Sequence, residues 1–236
     1  MGKLIVALDL KNKNKIYNLI ERLGNRVDYY KVGIIPYFVC GEEIIKKLKK
    51  QGKKIFLDFK FFDIPNTVRK ISEIIFEEEI DMFTVHLIAG EQVIKSIVET
   101  KQKLKTKTKI IGVTILTSFT EKDISFLNIN TKIDKLVEKL VDYGYNWGID
   151  GVVCSGEEIE MIRTKYNPPF LIIVPGVRID EKNKKDDQKR IITPKEAIKK
   201  GADFVVVGRP IYENLEPEKV VEKILKEIED GTENLD

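Results

Sequence analysis

Ile55-Phe56-Leu57-Asp58-Phe59-Lys60-Phe61-Phe62-Asp63-Ile64-Pro65-Asn66-Thr67 sets three charged side chains into an otherwise apolar stretch. In an extended strand alternate side chains share a face, so Asp58 and Lys60 are expected to project together, with Leu57 and Phe59 on the other side. Pro65 cannot donate to a strand ladder and Asn66 is a good helix N-cap, so the strand is predicted to end near Lys60 and a helix to begin near Asn66. Asp63 then falls in the connecting loop. A structural ion pair at a strand end would use the same residue types. What favours chemistry is the number of charges gathered at one place.

The pattern of this stretch, an apolar strand followed by an amphipathic helix, recurs along the chain. Leu4–Leu8, Val27–Val32, Met82–His86, Lys109–Leu116, Gly151–Cys154, Phe170–Val174 and Phe204–Val207 read as further strands. Helices are expected over Asn14–Leu23, Glu42–Lys50, Asn66–Glu78, from Glu91, over Ile133–Val141 with Gly144 beyond its end, and around Glu157–Arg163. Thr193-Pro194-Lys195-Glu196 has the capping-box pattern of a helix start, and the last amphipathic helix carries Val221, Ile224, Leu225 and Ile228. Alternation of this kind in 236 residues, with no interdomain linker, predicts one parallel (β/α)8 barrel domain over residues 1–236, with a doubly wound sheet as the other topology.

A barrel carries its site at the C-terminal ends of its strands. Asp9, Lys31, Asp58 with Lys60, His86, Thr117, Ser155, Arg178 and Arg209 all fall at those ends, so a scattered set becomes one ring. The loops after the seventh and eighth strands, Pro175-Gly176-Val177-Arg178 and Gly208-Arg209, offer glycine backbone and arginine forks suited to a phosphate monoester. A lysine among carboxylates has its charged form favoured, so Lys60 suits a proton donor better than a Schiff-base amine.

Composition narrows the partners. The chain has 41 basic and 38 acidic residues, a net charge of +3, too even for a nucleic-acid or membrane surface. Cys40 and Cys154 lack paired metal spacing and suit a reducing cytosol. No stretch approaches the roughly twenty apolar residues that cross a bilayer, and Met1–Leu10 does not read as a signal peptide, so a cytoplasmic protein is expected. Nucleotide loops and His-Glu-x-x-His are missing, and no cofactor or metal is expected. Asp9, Asp58 and Asp63 could hold Mg2+, but Lys31 and Lys60 compete for the same carboxylates.

Asp58-Phe-Lys60-Phe-Phe-Asp63-Ile-Pro-Asn-Thr67 resembles the signature of the orotidine 5′-phosphate decarboxylase family. The resemblance extends to Val6-Ala7-Leu8-Asp9, Tyr30-Lys31-Val32-Gly33, Leu116-Thr117-Ser118, Pro175-Gly176-Val177-Arg178, Asp187-Gln188-Lys189-Arg190 and Val207-Gly208-Arg209-Pro210. It implies a cofactor-free homodimeric barrel that converts orotidine 5′-monophosphate to uridine 5′-monophosphate and CO2, in pyrimidine nucleotide synthesis. Lys60 would protonate C6 once CO2 has left, with Asp58 beside the departing carboxylate. Lys31 and Asp9 would contact the ribose hydroxyls, and Thr117 or its neighbour Ser118 the pyrimidine. Arg178, Gln188, Gly208 and Arg209 would bind phosphate, Gln188 from a loop that closes over the ligand. Asp63, Ile64 and Thr67 would reach into the other subunit's site. His86 matches a recurrent family histidine but is expected to pack rather than transfer protons. Two other readings remain: a Mg2+-dependent sugar-phosphate decarboxylase or aldolase of the same superfamily, and a non-catalytic barrel that binds a phosphorylated metabolite.

Overall fold

The computed structural model describes residues 2–125, 128–129, 131–178 and 192–233. Eight strands pair in parallel, each with its sequence neighbour, and β8 pairs with β1 to close the barrel. The strands are β1 Lys3–Ala7, β2 Tyr29–Gly33, β3 Lys54–Phe61, β4 Met82–His86, β5 Lys109–Val113, β6 Gly151–Val153, β7 Leu171–Pro175 and β8 Phe204–Val207. The helices between them are α1 Lys13–Leu23, α2 Ile34–Cys40, α3 Glu43–Lys50, α4 Pro65–Glu77, α5 Glu91–Leu104, α6 Glu121–Ser125, α7 Ile133–Trp147, α8 Ile159–Lys165, α9 Pro194–Lys199 and α10 Arg209–Tyr212, with α11 Pro217–Thr232 last. No helix among the described residues is long and apolar enough to cross a membrane.

Alternation of side chains along each strand divides the apolar residues into two layers. Ile5, Ala7, Phe56, Met82, Ile111, Ile173, Phe204 and Val206 pack together inside the barrel. Residues of the opposite parity, among them Leu4, Val6, Val32, Leu57 and Val205, pack outward with the helices. At the N-terminal end, Asp81, Asp150 and Asp203 stand just before β4, β6 and β8, and each accepts a backbone N–H from the preceding strand: Ile55 at 2.9 Å, Ile110 at 2.8 Å and Ile172 at 2.7 Å. These carboxylates tie neighbouring strands at the end away from the ring, each taking up the amide of the second residue of a strand.

The sequence expectations need several local corrections. Ile64, with no side-chain cap, precedes α4, and Pro65 takes the first helical position; Asn66 lies in the first turn and accepts from Arg69 at 3.2 Å, because Pro needs no amide partner at that position. Gly144 is a buried interior residue of α7, which runs on to Trp147 and ends at Gly148 with φ +95°. Gly144 is small for packing, since a Cβ there would lie 2.6 Å from Ile149 Cδ1 and 2.9 Å from Leu87 Cδ2. β5 stops at Val113, short of Leu116, and an additional helix, α2, follows β2 directly. The capping box at Thr193 is present as expected. The stretch Asp180–Arg190, with Gln188, lies outside the described residues.

Candidate active site

Asp58 and Lys60 both lie in β3, but alternation alone does not place their charges. The ladder to β4 runs regularly through Leu57↔Phe83, then resumes at Phe61↔Val85 with a register shift between them. Lys60 sits in this shift with φ +51°, the left-handed region. For a residue with a Cβ that conformation costs about 1–2 kcal/mol, and a shifted ladder leaves its amide without a strand partner. Lys60 N–H donates instead to Thr84 Oγ1 of β4 at 2.8 Å. The bend carries Lys60 Nζ to 2.8 Å from Asp58 Oδ2.

Asp58 joins a larger array. Lys31, in the middle of β2, has its ammonium 3.5 Å from Asp58 Oδ2 and 3.0 Å from Asp9 Oδ2. Two carboxylates and two ammoniums thus alternate across three adjacent strands. Gly33 makes room for the crossing, because a Cβ there would lie 3.1 Å from Asp9 Oδ1 and 3.2 Å from Lys31 Nζ. Thr84, fully buried, also donates to Asp58 Oδ1 at 3.1 Å. Burial by itself pushes the Asp58 carboxyl up; the Lys31 and Lys60 ammoniums and the hydrogen bonds from Lys60 and Thr84 outweigh it and hold the group below the ordinary carboxylate value. Asp58 is therefore an anion at neutral pH, hemmed in by cations.

This array forms one wall of a cavity of about 370 Å3 at the C-terminal end of the barrel. Asp9, Lys31, Asp58, Lys60, Thr117, Ser118, Arg178, Gly208 and Arg209 all line it, so the structure brings these expected residues together. Thr117 is half-buried and Ser118 exposed. Gly176, at φ +79°, makes the turn that leads to Arg178, whose amide donates to Ile192 O at 3.0 Å and so fixes the chain beyond β7 against the start of α9. Burial, then the neighbouring Arg209, lower the Arg178 pKa from its ordinary value. Two guanidinium groups close enough to repel make a place for an anion.

Other expected residues are elsewhere. Asp63, Ile64 and Thr67 are exposed on the rim and do not line their own chain's cavity; Asp63 Oδ1 accepts the N–H of Ile64 at 2.7 Å. His86 is outside the cavity, its ring tilted against Phe62 with centroids 5.8 Å apart. Ser155 is buried and does not line the cavity, its N–H donating to Glu158 Oε2 at 2.5 Å.

Two residues escaped the reading of the sequence. Thr84 is the one polar residue between Met82 and Val85, at the inward parity of an apolar strand, and that parity was its signal. Tyr212, on α10, lines the cavity beside Gly208, where a Cβ would come within 3.2 Å of its ring. It stands in the helix after the last strand and carries no motif.

A family model described as the Orotidine 5'-phosphate decarboxylase / HUMPS family matches residues 2–224. A protein of Dictyoglomus turgidum named orotidine 5'-phosphate decarboxylase is 37% identical over 237 residues, covering 98% of this chain and 97% of that protein. One of the same name from Lawsonia intracellularis is 39% identical over 232 residues, covering 97% of this chain and 100% of that protein. Among solved structures, orotidine 5'-phosphate decarboxylase of Lactobacillus acidophilus superposes with a TM-score of 0.84 at 33% identity, covering 97% of this chain and 99% of that one. The Methanocaldococcus jannaschii orotidine 5'-monophosphate decarboxylase, solved with the inhibitor BMP, gives 0.75 at 28% identity, covering 97% and 99%.

Proposed function

Because this chain belongs to the orotidine 5'-phosphate decarboxylase / HUMPS family, we propose that it is a carboxy-lyase that converts orotidine 5′-monophosphate to uridine 5′-monophosphate and CO2. The family model spans two activities under one description, whereas the full-length relatives named above are decarboxylases of orotidine 5'-phosphate. The observation that carries the reading is the Asp9–Lys31–Asp58–Lys60 array on one wall of a cavity whose lining also includes Arg178 and Arg209.

The reaction breaks the bond from C6 to the carboxylate carbon, and the electron pair stays on C6 as CO2 departs. Lys60, an ammonium whose Nζ is fixed by Asp58, stabilises that carbanion and then gives it a proton. The lysine leaves the step neutral and takes a proton back from solvent. Asp58, anionic and largely shielded from water, stands beside the substrate carboxylate, so loss of CO2 relieves a repulsion. Lys31 and Asp9 hold the ribose hydroxyls, Thr117 or Ser118 the pyrimidine, and Arg178, Gly208 and Arg209 the phosphate, with Gln188 joining them. Phosphate contacts made far from C6 supply binding energy for the reacting end.

The functional unit is a homodimer of single-domain barrels in which Asp63, Ile64 and Thr67 complete the partner's site. Support comes from exposed apolar side chains around the ends of β2, β3 and β4: Ile34 at 55%, Phe38 at 86%, Phe62 at 62%, Ile64 at 65% and Ile88 at 52% exposure. Large apolar side chains exposed on the segments that follow three neighbouring strands suit a contact surface.

The test is to add orotidine 5′-monophosphate and follow its ultraviolet absorbance with EDTA present. Turnover in EDTA is expected and excludes the metal-dependent reading. No change at any enzyme concentration overturns the assignment, and activity restored only by Mg2+ overturns the metal-free mechanism. Lys60→Ala should lower turnover by about 10²–10⁴-fold or more, the usual contribution of a positioned general acid, and a phosphometabolite sensor would be indifferent to it.

A further inference from the structure

We propose that Thr84 is a positioning residue of this site, whose hydroxyl joins the Lys60 backbone to the Asp58 carboxylate and so sets the geometry of the proton donor and its counter-ion together. The inference rests on the decarboxylase reading for its kinetic consequence, though not for its structural one.

A backbone amide can only donate, so the 2.8 Å contact from Lys60 N makes Thr84 Oγ1 an acceptor. A hydroxyl has a single proton, and the remaining contact, 3.1 Å to Asp58 Oδ1, receives it. The sequence of bonds therefore runs one way, from the Lys60 amide through Thr84 to Asp58. It leaves Asp58 Oδ2 to face Lys60 Nζ at 2.8 Å and Lys31 Nζ at 3.5 Å. Each oxygen of the carboxylate thus has its own partners, and the carboxylate plane is fixed.

The same hydroxyl holds the register shift in β3. Lys60 occupies the left-handed region without being a glycine, and such a conformation persists only where surrounding contacts impose it. Thr84 suits the task because a β-branched side chain in a strand has few rotamers and because it is fully buried, where no water competes for its proton. It does not line the cavity. Its effect on the reaction passes through Lys60 and Asp58.

Thr84→Val keeps the shape and removes the hydroxyl; Thr84→Ser keeps the hydroxyl. We expect Thr84→Val to lower kcat by about 100-fold, the scale of a misplacement near 1 Å, with KM changed by less than about threefold, and Thr84→Ser to stay near wild type. A second readout needs no turnover: the Asp58 side-chain carboxyl, followed by carbon NMR in labelled protein, should titrate at higher pH in Thr84→Val than in wild type or Thr84→Ser. The charged groups facing Asp58 are Lys31 from β2 and Lys60 from β3, with Asp9 behind Lys31 and His86 at the end of β4; all are unaltered in these variants. Thr84→Ala replaces Thr84→Val if the latter does not fold. Equal impairment of the Val and Ser variants, or an unmoved Asp58 titration, would sink the proposal. A wild-type chain inert toward orotidine 5′-monophosphate would instead remove the decarboxylase reading, and the titration would still decide the role of Thr84.

Discussion

At the scale of single residues, the chemistry depends on groups whose surroundings differ over a few ångströms. Asp58 is kept ionised by two ammoniums and two hydrogen bonds despite burial. His86, the only histidine in the chain, is affected in the opposite sense for its charged form: burial first, then the Lys60 ammonium, lower its pKa, with Asp58 opposing. Among the described residues its buried Nδ1 has no hydrogen-bond partner, which suits a neutral ring with the proton on the other nitrogen. A histidine depressed in the folded state lets the unfolded chain take up its proton first. Stability is then complete above the unfolded value of about 6.5 and falls as pH drops through that value toward the lower folded one. Denaturation midpoints of wild type should therefore decline from about pH 7 to pH 5 more steeply than those of His86→Asn; parallel curves would count against a neutral His86. The adjacency of Asp58 and Lys60 was legible in the sequence. Thr84 was not, because its importance comes from which strand lies beside it.

At the scale of elements, each strand and helix follows from local pattern, and the departures occur where packing takes over. Pattern located β3 and α4, but the register shift in β3 comes from its ladder to β4. Gly144 looked like a helix end because glycine commonly follows one; inside α7 it is required by the approach of Leu87 and Ile149. Gly151 is the sharper case. It opens β6 opposite Leu171 of β7, and a Cβ there would lie 2.4 Å from Leu171 O and 2.6 Å from Leu171 Cβ. Because backbone blocks it, the strands must part to admit a methyl group. Gly151→Ala is expected to cost about 1–3 kcal/mol, typical of overpacking, read as a lower urea midpoint with an unchanged slope. A midpoint equal to wild type would show that β6 and β7 separate freely.

For the whole molecule, closure of the barrel divides labour between its two ends. The end holding Asp81, Asp150 and Asp203 ties strands together, while the opposite end gathers the charged array. Asp58 and Lys60 face the chain's own cavity, whereas Asp63, five residues after Asp58, stands on the outer rim. If Asp63 serves a neighbour, each inactive chain can lend the half it retains. Mixing Lys60→Ala with Asp63→Ala chains should restore activity to about a quarter of wild type, since half of the dimers formed at random are mixed and each contains one intact site. No recovery after subunit exchange would place Asp63 in its own chain's service. The sequence by itself determined the alternation of strands and helices, the barrel, the polar residues at strand ends and the family resemblance, because periodicity and short motifs are properties of neighbouring residues. Only the tertiary structure decided that His86 and Ser155 fall outside the cavity, that Tyr212 enters its lining, and that Thr84 meets Lys60 and Asp58. Those outcomes depend on the register between strands far apart in sequence, and closing the ring is what fixes that register.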